Sequence, residues 1–222
     1  MSTLQHIVRR VLQEDLQTRG SRDVAGRPAD LYSTKSADPT SLSTIASGVV
    51  ALGKSQNGWP AHPDPDVVNL EQMTIPLQGG KSVTLLLRKE TANSLVEMVK
   101  WWDANVEPVN PGDTGSYNYR PIRGYSQLSN HASGTAIDIN GSRHKLGARG
   151  TVSPALAVAI TAKAKSLGLR WGGTYEGRVD EMHFEVNTPP PTEAVAASEA
   201  VWQKKYGAAG SGADANAPSD VA

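Results

Sequence analysis

The chain has 222 residues, with 22 Lys+Arg against 22 Asp+Glu and a formal net charge of zero. That balance removes any global electrostatic case for nucleic acid or an anionic membrane as a partner. The absence of cysteine excludes disulfides and thiolate metal sites. The length holds one domain with a sizeable core plus extensions.

The first residues, Met1 to Asp15, contain no uninterrupted apolar run of the kind a secretory signal needs. No apolar stretch approaches the roughly 18 residues that span a bilayer. Neither export by a leader nor membrane insertion is therefore expected. If the target lies outside the cell, another component must release the protein. Leu4, Ile7, Val8, Val11, Leu12 and Leu16 predict a helix over residues 3–19, stopped at Gly20. Residues 20–39 read as linker. Leu42, Ile45, Ala46 and Val49 suggest a second short helix.

A compact domain is expected over residues 55–190, between a helical extension (1–54) and a C-terminal helix with a disordered tail (191–222). Val83 to Arg88 is β-prone, and a helix follows from about Thr91 to Asn105, with Leu95, Met98, Val99 and Trp102 on its inner face. Asn110 to Gly115 is rich in turn residues, and Ser116 to Ile122 reads as extended. Ser153 and Pro154 form an N-cap and first helical residue, and Gly168 ends that helix. Leu169 to Trp171 and Met182 to Val186 read as strands. A further helix is expected from Glu193 to about Tyr206, then a disordered tail from Gly207. The element order predicts an α+β fold.

The chemistry concentrates in Ser129 to Asn140 and Asp180 to Glu185. Strand alternation from Thr135 places Ala136, Asp138 and Asn140 on one face and sends Ile137 and Ile139 to the core. His131 precedes this strand on a loop whose Gly134 lets the backbone fold back. On the last strand His183 and Glu185 share a face, while Met182, Phe184 and Val186 point inward. Two imidazoles with a carboxylate suit a catalytic zinc ion, which takes three protein ligands and leaves a position for water. The spacing alone also fits a polar strand face with ordinary hydrogen-bonded histidines. The helical H-E-x-x-H motif is absent. His6, His62 and His144 are expected to be exposed. Tyr117 and Tyr119 could touch a substrate or simply pack.

Ser129-x-His131-x-x-Gly134-x-Ala136-x-Asp138, followed by Asp180-x-x-His183, resembles the zinc peptidases that cut peptidoglycan peptides. Gln56 to Pro60, Tyr119 to Gly124, Leu128 to Ala132 and Trp171-Gly-Gly agree with the endopeptidase branch. That family joins D-alanyl-D-alanine carboxypeptidases and dipeptidases to the L-alanyl-D-glutamate endopeptidases of phages and bacilli. It shares its core with the hedgehog signalling domain.

The resemblance, over about residues 55–187, implies a small antiparallel sheet with flanking helices and a zinc site in a cleft on that sheet. It implies zinc ligands His131, Asp138 and His183, with Asp180 as catalytic base. Arg120 matches an arginine that binds substrate near the scissile carbonyl, Ser129 a serine beside the first ligand, and Arg123 a weaker substrate contact. Glu181 and Glu185 are rivals near His183; Glu185 could instead orient a ligand histidine, and Glu181 would point away. The implied partner is bacterial peptidoglycan, met by a monomer. The implied activity is an L-alanyl-D-glutamate endopeptidase acting as a phage-type endolysin, held in the host cytoplasm until release or carried in the virion. The alternatives are a D-alanyl-D-alanine carboxypeptidase and a non-catalytic wall-binding zinc module.

Overall fold

A computed structural model describes residues 49–210. Its elements are β1 (Gly53–Lys54), β2 (Pro60–Ala61), β3 (Leu70–Pro76), β4 (Ser82–Arg88), α1 (Ala92–Asn105), β5 (Ala136–Asp138), α2 (Pro154–Ser166), β6 (Leu169–Trp171), β7 (His183–Val186) and α3 (Thr192–Gly210). The fold is α+β, with helices set against small antiparallel sheets. β1 pairs with β2, β3 with β4, and a three-stranded sheet runs in the order β5-β7-β6. Among the described residues no helix is long and apolar enough to cross a membrane. The predicted helix at 3–19 lies outside the described residues, as does the one at 42–49 except for Val49, which is not helical.

Each helix forms for a reason visible locally. Leu95, Met98, Val99 and Trp102 recur at helical spacing on α1 and are completely buried. In the last turn of α1, the Asp103 carboxylate accepts from Val109 N at 2.8 Å and from Gln78 N at 2.6 Å, satisfying loop amides that would otherwise be orphaned. α2 begins with Ser153 as N-cap and Pro154 at its first turn, and its chain reverses at Gly168, where φ is 70°. α3 continues to Gly210, past the expected tail at Gly207.

The core sits between α1, α2 and the three-stranded sheet. Phe184 on β7 is its centre, with the Trp102 ring edge-on at 5.6 Å and the Trp171 ring stacked at 6.4 Å. Ile137, Ile139 and Val186 join the same cluster. Because side chains alternate along a strand, burying Phe184 and Val186 turns His183 and Glu185 to the opposite face. The register then fixes their neighbours: Ala136 faces Glu185, Ile137 faces Phe184 and Asp138 faces His183.

Four sequence expectations are corrected. Met182 precedes β7 and packs beside Gly141 at the margin of the core instead of inside it. Asn140 does not extend the polar face of β5: its φ is 51°, and its side chain accepts from Asn110 N at 2.8 Å and donates to Pro108 O at 3.0 Å. His62 and His144 are both buried, only 2% and 3% exposed, with hydrogen-bonding partners for both ring nitrogens.

Gly134 ties the β3–β4 hairpin to the loop that carries His131. It has φ 69°, its carbonyl accepts from Arg88 N at 2.9 Å, and a Cβ there would lie 2.9 Å from that same nitrogen. Gly134→Ala should therefore lower stability by about 1–3 kcal/mol, the usual cost of a left-handed non-glycine residue, with the steric conflict adding to it. Chemical denaturation measures this. A variant as stable as the parent would show that the loop relaxes freely.

Candidate metal centre

His131 lies in a single 3-10 turn, Asn130–Ser133, whose N-cap is Ser129. The Ser129 hydroxyl accepts from His131 N at 3.3 Å, so this buried serine shapes the turn that carries the histidine. Asp138 ends β5, and His183 begins β7 directly opposite. His131 Nε2 lies 3.2 Å from His183 Nδ1 and 3.2 Å from Asp138 Oδ1, and His183 Nδ1 lies 2.8 Å from Asp138 Oδ1. Among the described residues this is the group of three or more metal-ligating side chains whose donor atoms converge.

The outer nitrogens of both rings are already engaged. His131 Nδ1 sits 2.6 Å from Ser116 O, a carbonyl that can only accept, so Nδ1 carries the proton and Nε2 presents its lone pair. His183 Nε2 faces Glu185 Oε2 at 3.2 Å, which leaves Nδ1 for the centre. Glu185 is in turn held by Asn130 Nδ2 at 2.5 Å and by the Tyr175 hydroxyl. Asn130 Oδ1 accepts from Asn57 N at 2.8 Å. Glu185 thus orients a histidine, while Glu181 points away and accepts from the backbone of Gly150, Thr151 and Val152.

The donor set fits a tetrahedral zinc ion. Ligands about 2.0–2.1 Å from such an ion stand about 3.3 Å apart, and the three observed edges run from 2.8 to 3.2 Å. Charge is arranged in the same sense. Burial works against ionisation of Asp138, yet His131 and His183 hold its carboxyl far below the usual range. Burial likewise opposes charge on His183, but hydrogen bonds to Asp138 and Glu185 prevail and lift it to about 10.

Asp180 stands beside this triangle. Its Oδ1 is buried without a hydrogen-bond partner, and burial raises its pKa to about 6. Its backbone is fixed by Asp180 N donating to Gly172 O at 3.0 Å and by His183 N donating to Asp180 O at 3.1 Å. A Cβ at Gly172 would come within 3.0 Å of the Asp180 Cβ, so the glycine makes room for the carboxylate turn.

Arg120 lines a pocket with Gly115, Ser116, Tyr117, Asn118, His131 and Asp138. Arg123 instead stands exposed on the turn Ile122–Tyr125, outside that lining. Tyr119 packs against the small cluster of Ala61, Leu128 and Ala132.

The sequence reads residues 116–122 as extended, but the part that Gly115, Ser116 and Asn118 play in holding the site is not visible there. Gly115 exchanges two backbone hydrogen bonds of 2.9 Å with Asp138, Ser116 O fixes the His131 ring, and Asn118 N donates to His131 O at 3.2 Å. These contacts use main-chain atoms, so no residue type announces them. Asn130 could have been suspected from its place beside His131, and Asn57 from the Gln56 to Pro60 segment, but Tyr175 carries no such signal.

A family model described as D-alanyl-D-alanine carboxypeptidase matches residues 123–186. The match takes in His131, Asp138, Asp180 and His183, while Arg120 and the segment 115–118 fall outside it. No curated protein matches the chain, and no solved structure does.

With a pKa of about 10, His183 is charged at neutral pH until a metal displaces its proton. Zinc uptake at pH 7 should therefore release about one proton, and affinity should rise about tenfold per pH unit below pH 10. Titration calorimetry in buffers of different ionisation enthalpy counts that proton. Uptake without proton release would contradict the assignment of His183.

Proposed function

We propose that the chain, whose residues 123–186 match a D-alanyl-D-alanine carboxypeptidase family model, is a zinc-dependent peptidase of peptidoglycan stem peptides, acting as an L-alanyl-D-glutamate endopeptidase of the endolysin type. The observation that carries this reading is the triangle of His131 Nε2, Asp138 Oδ1 and His183 Nδ1 with the orphaned, buried Asp180 oxygen beside it. A structural metal site needs no free base at its edge.

His131, Asp138 and His183 would hold the ion in the cleft beside the three-stranded sheet. Zinc, when bound, supplies a Lewis acid that acidifies an attacking water and polarises the scissile carbonyl. Asp180 accepts the proton of that water and passes it to the leaving amine. A carboxylate raised to about 6 by burial is suited to both steps near neutral pH. Arg120, on the pocket wall, offers positive charge to the carbonyl oxygen as it becomes anionic. Ser129 acts on this reading by holding the His131 turn at the substrate side.

The matched family's description favours a second reading, removal of a terminal D-alanine. That reaction requires recognition of a free carboxylate, which Arg120 and Arg123 together could supply. With Arg123 exposed on its turn, the pocket wall offers Arg120 alone, which supports cleavage within the stem.

Mass spectrometry of muropeptides from sacculi treated with the zinc-loaded protein distinguishes these outcomes. A new N-terminal D-glutamate is expected. Release of D-alanine alone would establish the carboxypeptidase, and binding without new termini a wall-binding module. Asp180→Asn should retain one zinc per chain and lose about 10²–10⁴-fold in turnover, the usual contribution of a general base. Near-normal turnover in that variant would remove Asp180 from the mechanism.

A further inference from the structure

Tyr117 lines the same pocket as Arg120, His131 and Asp138, and its hydroxyl is tied to a neighbouring loop. It donates to the backbone carbonyl of His62 at 2.7 Å. Burial pushes the phenol up to about 12, so it remains a donor throughout the neutral range.

The His62 carbonyl is held firmly because its own side chain is. The ring Nε2–H donates to Val50 O at 3.0 Å, and Nδ1 accepts from Asp64 N at 3.1 Å. That second bond requires a neutral ring, and burial moves the pKa of His62 in that direction.

The C-terminal helix covers this loop. The Tyr206 ring packs on the His62 ring with centroids 5.3 Å apart, and its hydroxyl donates to Asp64 Oδ2 at 2.7 Å. Lys205 Nζ reaches Asp64 at 2.8 Å and Asp66 at 2.6 Å. One turn earlier, Trp202 Nε1 donates to Val50 O, the carbonyl that also receives His62. Further up, the Ser198 hydroxyl accepts from the buried Arg88 guanidinium at 2.9 Å.

We propose that α3 is a working part of the substrate-binding wall: acting through the 62–66 loop and the His62 carbonyl, it sets the position of Tyr117, which contacts the stem peptide. Tyr117 is then the specificity-determining residue, and His62 and Tyr206 are positioning residues. None of the three lies within the matched residues 123–186. The role of Tyr117 toward a stem peptide rests on the peptidase reading. The coupling of Tyr206 to Tyr117 rests only on the contacts above.

The test is a double-mutant cycle on the full, zinc-loaded chain, with a synthetic stem peptide as substrate. Tyr117→Phe and Tyr206→Phe should each raise KM about fivefold, the equivalent of one hydrogen bond, with the loss falling on KM and not on kcat. The double variant should be no worse than Tyr117→Phe alone, because both changes break one chain of contacts. Additive effects, or a Tyr206→Phe variant with lowered Tm and unmoved KM, would overturn the proposal. A parallel carbon-13 spectrum of labelled tyrosines reads the coupling without catalysis. The Tyr117 signal, identified by its loss in Tyr117→Phe, should shift in Tyr206→Phe. If it stays in place the coupling is wrong, whatever the activity. If it shifts while the parent protein cleaves no stem peptide, the coupling stands and the peptidase reading fails.

Discussion

The antiparallel register of β5 against β7 is the constraint on which the site depends. It sets Asp138 opposite His183, Ile137 opposite Phe184 and Ala136 opposite Glu185. Strand side chains have a period of two, so a slip of one residue would exchange the two faces of a strand. His183 and Glu185 would enter the apolar core, and Phe184 would replace them beside Asp138. Packing of Phe184 between Trp102 and Trp171 resists that slip. Burial of one aromatic ring therefore holds two prospective metal donors face to face, and the hydrophobic core and the polar site are specified by the same pairing.

A buried cluster of imidazoles and carboxylates is costly unless each group is paired. Here the pairing extends outward in two directions. Glu185 receives His183, Asn130 and Tyr175, while Ser116 O receives His131. The segment 115–118 is then secured by Leu86 N donating to the Ser116 hydroxyl at 2.9 Å and by Tyr117 reaching His62. The three donors are thereby oriented before any ion binds. Asp180 is the exception to this satisfaction, with one oxygen left buried and unpaired. An unpaired carboxylate beside an otherwise saturated network is what the proposed role of Asp180 as proton carrier requires.

Much of this was legible in the chain because the relevant signals are local. Gly134 in a tight turn, the Ser153-Pro154 helix start, the helical spacing of Leu95 to Trp102 and the alternation around Phe184 each predict the element observed. The donor set was legible through the resemblance carried by Ser129 to Asp138 and Asp180 to His183; spacing alone also fitted a polar strand face. What failed to show depended on how the chain folds around each residue. His144 lies buried against Glu107 and Thr151, and His62 against Val50 and Asp64, so composition alone made both look like surface residues. Asn140 broke the expected alternation by adopting a left-handed backbone. Nothing in the sequence marks Arg88 as an interior residue either, yet it is completely buried, its guanidinium donating to Pro60 O and Ser198.

The central claim, that register-paired side chains form one catalytic zinc site, is tested most directly by X-ray absorption at the zinc edge of the loaded protein. Expected are light-atom ligands at about 2.0–2.1 Å, with outer-shell scattering from two imidazoles. One imidazole or none would contradict the assignment, since zinc would then lie away from His131 and His183.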